Sequence, residues 1–320
     1  MSATTALLRF DQDHPVWTGE LFVLAGESPE DLDLLARRGL VEEREGVWSL
    51  TQEGTTGFRA EAAECFLDAA PGPFPEDCRQ SLRRTRWQLL LDRAFRGRWG
   101  LKEFQPGAVL PFWPGLSPEE RHRCGTEGVR WLFEEHPAVR ALRDRPLAIP
   151  SSREEAEAFR APWDLPWGRL SLDLLLLFRY DFHCYQDQRP LPTDEGGFAN
   201  TDRLLCRFVG ADTTLEDLAA HLGEVHLFLL HQRRLLLPRL FDRDAQEQDA
   251  VTWWGGCCEE EGQARELAAR WTPLGAQLAA PSLPLDLWLV SREVLEGVKE
   301  PEESFWDLFS RGGHRLFCPA

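Results

Sequence analysis

The chain has 320 residues, 43% of them hydrophobic, enough to bury a sizeable core and to fold as two or three compact units. Its formal charge of −17, from 53 Asp and Glu against 36 Lys and Arg, argues against a general phosphate-binding surface and leaves room for a local basic patch. The N-terminal residues lack a basic start followed by an apolar core, no stretch reaches the roughly 18 apolar residues of a membrane span, and eight cysteines are scattered as reduced thiols are, so a cytoplasmic protein without membrane contact is expected.

In chain order, Ser28-Pro29-Glu30-Asp31 starts a helix: a serine cap, proline at the first helical position, and acids toward the positive end of the dipole. Leu32, Leu35 and Ala36 continue its apolar stripe and Gly39 ends it. Leu40-Val41 and Val47 to Leu50 read as two short strands turning at Glu45-Gly46. Thr51 caps a further helix whose Phe58, Ala62, Cys65, Phe66 and Ala69 repeat at helical spacing.

The order helix, two-stranded wing, helix, in the words LLARRGLVEEREGVWSLTQEG, resembles the second half of a winged-helix domain over some fifty residues. In DNA-binding members of that superfamily the helix before the wing enters the major groove. Here that helix opens with Glu30, Asp31 and Asp33, and Met1 to Ala70 carries 14 acids and 5 bases, or −9. Such charges would face phosphates with the wrong sign, so the resemblance implies a scaffold or protein-contact role rather than DNA reading.

Ala70 to Pro75 holds three prolines and reads as a stiff connection. Arg79 to Lys102 follows as the one strongly basic stretch, seven Arg and one Lys against Asp92 alone, or 8 − 1 = +7. On a helix Arg79, Arg86 and Arg93 line one side, while Trp87, Leu91 and Phe95 form an apolar stripe about 100 to 180° round from them. Arg96 and Trp99 prolong the basic face. Its acidic counterpart is the acidic N-terminal unit, a partner protein, or a phosphate backbone.

Gly97 to Gly115 reads as irregular, Ser117-Pro118-Glu119-Glu120 as a capped helix start, and Ser151 with Glu154 or Ser152 with Glu155 as a capping box. Leu170 to Tyr185 has apolar residues at every even position up to Phe182, a strand period, yet its length and four consecutive leucines favour a buried helix, which is the expectation here. Thr213 to Asp217 caps a helix, and Val225 to Leu240 adds a second, together an antiparallel hairpin. Trp253 to Cys258 leads into a helix from Glu259, and Leu285 to Val290, Ser304 to Phe309 and Arg315 to Phe317 complete a small strand-helix-strand piece.

Chemistry-bearing patterns are sparse. There is no GxSxG, P-loop, GxGxxG or HExxH, and no paired CxxC. His221, His226 and His231 are spaced by five and do not share a helix face. Neither a metal nor a cofactor is indicated. The expected fold class is mainly α with small β elements: a winged-helix-like unit (1–70), Pro/Gly linkers with the basic helix (71–115), and an α-rich domain (116–320) closed by a small α/β element. The expected function is macromolecular interaction, as an adaptor or subunit of an intracellular assembly with a protein partner. The alternative is a nucleic-acid-binding regulator using Arg79, Arg86, Arg93 and Arg96 with Trp87 and Trp99. A second alternative is an enzyme whose pocket collects several of Asp181, His183, Cys184, His226 and Cys257.

Overall fold

The computed structural model describes residues 6–94, 101–145, 152–181, 199–235, 252–278, 285–298 and 305–316. The chain divides into two compact units, Met1–Ala94 and Phe95–Ala320. The basic helix thus belongs to the first unit rather than to a linker segment.

In the first unit, strand β1 (Val16–Trp17) precedes helices α1 (Gly19–Leu24) and α2 (Pro29–Arg37). Ser28 caps α2, its side chain accepting from the Glu30 N–H. Strands β2 (Val41–Arg44) and β3 (Val47–Leu50) form the hairpin expected from sequence, with Glu45 and Gly46 both at positive φ in the turn. β1 adds to β3, giving the order β1-β3-β2. Thr51 caps α3 (Gln52–Glu64), and α4 (Cys78–Ala94) closes the unit. The core collects Phe10, Trp17, Phe22, Leu32, Leu35, Val41 and Phe58, with Trp17 edge-on to Phe22 at 5.5 Å between ring centroids. Trp17 Nε1 donates to the Arg9 carbonyl at 2.9 Å, so the largest core ring also satisfies its polar atom.

The second unit overturns the mainly-α expectation. Strands β4 (Leu101–Pro106) and β5 (Val109–Phe112) occupy the stretch expected to be irregular. Helices α5 (Pro118–Glu127), α6 (Arg130–Glu134), α7 (Pro137–Asp144) and α8 (Arg153–Arg160) follow, then β6 (Gly168–Ser171), β7 (Leu174–Asp181), β8 (Ala199–Val209) and the long α9 (Leu215–Leu235). β9 (Thr252–Cys258), α10 (Glu261–Leu278), β10 (Leu285–Ser291), α11 (Arg292–Glu296), α12 (Phe305–Gly312) and β11 (His314–Arg315) complete it. A six-stranded mixed sheet runs in the order β11-β10-β9-β8-β7-β4, with β5 and β6 forming a separate ribbon. β8, β9 and β10 are parallel neighbours, and α9 and α10 lie in the two intervening connections, as parallel pairing requires. The protein is therefore a mixed α/β arrangement, not an α-rich body with β trimmings.

Leu170 to Asp181 shows why sequence misleads here. It is two strands, β6 and β7, parted at Leu172-Asp173, not a helix. Leu175, Leu205, Trp254 and Leu287 are register partners across four strands and share one core. Leu174, Leu176, Leu204 and Cys206, of opposite parity, are equally buried. A strand covered on both faces carries a continuous apolar run, which hides the period of two. Trp253 to Cys258, expected as a lead-in, is the buried central strand β9 for the same reason. The expected hairpin of two helices is one helix, α9, within the described residues; positions 236–240 lie outside them. A Cβ on Gly223, in the middle of α9, would stand 3.0 Å from Cys124 Sγ and 3.2 Å from Val129, so its absence lets α5 approach. No helix among the described residues is long and apolar enough to cross a membrane.

Candidate functional site

The arginine face expected on α4 is only partly open. Arg79 and Arg93 are exposed, but Arg86 is half-buried and donates to Glu20 in the first turn of α1 at 2.9 Å. The acidic unit thus supplies its own counter-ion at that position. Trp87 is 0% exposed and offers no ring face to a base. Arg96 and Trp99 lie outside the described residues.

A different surface of the first unit stands out at the end of α3. Phe66 N donates to Ala63 O at 3.2 Å and Leu67 N to Ala62 O at 2.9 Å, the paired bonds of a Schellman ending. Phe66 occupies the left-handed position of that ending, at φ 55°, where glycine is usual. Its ring is 96% exposed, and Leu67 beside it is 50% exposed. Residues 63–70 are all exposed, with Glu64 and Asp68 flanking the two apolar side chains. The helical spacing that included Phe66 and Ala69 therefore ends at Glu64, and only a residue-by-residue test of the helix end would have found the feature.

In the second unit a cleft of about 410 Å3 opens beside the start of α9. Arg121 comes from α5, Arg169 and Ser171 from β6, Arg207 from β8, and Asp212 and Thr213 from the turn before α9. Asp217, Ala220, His221 and Glu224 fall on one face of α9, at i, i+3, i+4 and i+7. Thr214 and Asp217 cap the helix reciprocally: Asp217 N donates to Thr214 Oγ1 at 3.1 Å, and the Asp217 carboxylate accepts from Thr214 Oγ1 at 2.7 Å. Those bonds hold the Asp217 carboxyl below the usual carboxylate range. Glu224 is buried and ion-paired with Arg121; burial raises its pKa against the pull of that guanidinium. His221 is 9% exposed, and burial, helped by Arg207 and Arg121, drives its pKa down to about 3. Its imidazole is neutral and a weak base near neutral pH. Cys124 nearby is buried, its thiol pushed up to about 12, so it is no thiolate. The cleft has room for a small ligand, and neither His221 nor Cys124 is activated as a base or nucleophile.

Nothing in the sequence pointed to this gathering, because its members come from four separated segments and none forms a motif. Of the enzyme alternative, His183 and Cys184 lie outside the described residues. His226 is buried with Nδ1 2.6 Å from the Leu222 carbonyl, and Cys257 is buried in β9, its thiol raised by burial and by Cys206. Neither lines the cleft. Among the described residues no group of three His, Cys, Asp or Glu side chains is placed to hold a metal ion. Comparison of the chain with family models, curated proteins and solved structures gives no match.

Proposed function

We propose that this is a cytoplasmic macromolecular-interaction protein, an adaptor or subunit of an assembly, whose winged-helix-like first unit docks onto a protein partner through the Phe66 end of α3. The observation that carries this reading is Phe66 itself. Both its backbone and its solvation disfavour phenylalanine: left-handed φ costs a side chain about 1–2 kcal/mol relative to glycine, and an exposed ring gains no burial. A residue costly in the free protein is accounted for by a contact made in the complex, and aromatic side chains commonly anchor such contacts. Glu64 and Asp68 beside it call for a partner pocket that is apolar at its floor and basic at its rim. The nucleic-acid alternative draws less support, since Arg86 is engaged with Glu20 and Trp87 is buried.

The test is a photo-crosslinking residue placed at 66, with a control at the exposed Arg130. Crosslinking of one protein from position 66, weakened by salt and missing from position 130, supports the reading. Equal crosslinking from both positions, or none from 66, refutes it.

A further inference from the structure

We propose that the cleft beside α9 binds the phosphate group of a small phosphate monoester, gripped by Arg169 and Arg207 with the hydroxyls of Ser171 and Thr213 as further donors. This site lies wholly within the second unit and does not rest on the partner contact at Phe66. The cleft is lined by three arginines and three carboxylates, and two of the carboxylates are engaged. Glu224 holds Arg121, and Asp217 is turned into the cap of α9. Asp212 is exposed on the turn before α9, where solvent screens its charge.

The cations are less committed. Arg169 is exposed and has no ion-pair partner among the described residues. Arg207 stands 3.7 Å from Asp173 Oδ2, an oxygen that already accepts from the Phe208 N–H at 2.8 Å. Thr213 Oγ1 accepts from Gly210 N at 2.8 Å, which leaves its proton to donate. Two guanidiniums and two hydroxyls exceed what a carboxylate's two oxygens need and suit the three terminal oxygens of a phosphate monoester. An adjoining cleft of about 380 Å3 shares Arg121 and Asp217 and adds the apolar walls of Leu116 and Pro118, room for the organic part of the ligand.

The test uses the full chain and titration calorimetry with inorganic phosphate, glycerol 3-phosphate and acetate. Inorganic phosphate is expected to bind, glycerol 3-phosphate roughly fivefold tighter, and acetate much more weakly than either. Arg169→Gln is expected to weaken both phosphates about tenfold at unchanged melting temperature, because that side chain is exposed and makes no ion pair among the described residues. Arg140→Gln, exposed on α7 and away from the cleft, is expected to leave affinity unchanged. No heat from either phosphate at millimolar concentration, acetate binding as tightly as phosphate, or an Arg169→Gln protein that binds like the parent overturns the proposal. Equal weakening by Arg140→Gln does so too, since it reports attraction to bulk charge alone.

Discussion

Phe66 makes a prediction that separates folding from contact. Phe66→Gly relieves a left-handed side chain and is expected to stabilise the first unit by about 1 kcal/mol, read as a higher urea midpoint, while abolishing the crosslinkable contact. A variant that loses both stability and contact would point to an ordinary packing role. Buried histidines make a second. His221 and His231 have folded pKa values of about 3 and about 4, below the ordinary 6.5, chiefly through burial. The unfolded chain therefore binds more protons than the native one between those values and 6.5, so their contribution is fully present above pH 6.5 and is lost as pH falls below it. Around His221 stand Glu224, Arg121 and Arg207, and beside His231 stands Arg160. Each histidine steepens the acid decline by up to about 1.4 kcal/mol per pH unit. His221→Gln is expected to flatten the loss of unfolding free energy between pH 7 and 5; an unchanged slope contradicts the assignment. At this scale the sequence was legible wherever a side chain caps its own helix, as at Ser28, Thr51 and Ser117. It was silent at Phe66, where the structure breaks the local rule.

Elements were legible in proportion to how much of them meets water. The β2–β3 hairpin has a wet face and turn residues at Glu45-Gly46, and both were readable. β9 and the Leu174–Leu176 part of β7 are buried on both faces, so the apolar run is continuous and the strand period of β7 competes with a helix reading that the structure overturns. This gives an element-scale prediction. Leu174→Ala and Leu175→Ala remove side chains from opposite faces of one strand, and each is expected to cost about 2–5 kcal/mol. Chemical denaturation of the two variants checks it. Loss at one position with indifference at the other would mean a strand exposed on one side. In α9 the expected pair of helices is one continuous helix through Gly223, which packs closely against Cys124. Gly223→Leu overfills that contact and is expected to cost about 1–3 kcal/mol despite leucine's better helix propensity.

At the scale of the whole molecule, composition gave the acidic balance and the reduced thiols, while the division into units and the cleft needed the fold. The boundary follows Ala94, after the basic helix, because α4 packs its Leu82 and Leu89 on the first core and sets Arg86 against Glu20. The cleft draws Arg121, Arg169, Arg207 and Glu224 from positions more than a hundred residues apart at the extremes, a proximity that no periodicity encodes. A net charge of −17 makes like-charged surfaces repel, and among the described exposed large hydrophobic residues Phe66 is the most open, at 96%. The most direct measurement is native mass spectrometry of the chain isolated gently from its own cell. The account predicts a mass well above the 36.6 kDa of one chain, containing a second polypeptide, and collapse to 36.6 kDa when Phe66→Gly is introduced. A parent protein found only at 36.6 kDa, or a complex that survives Phe66→Gly, would contradict it.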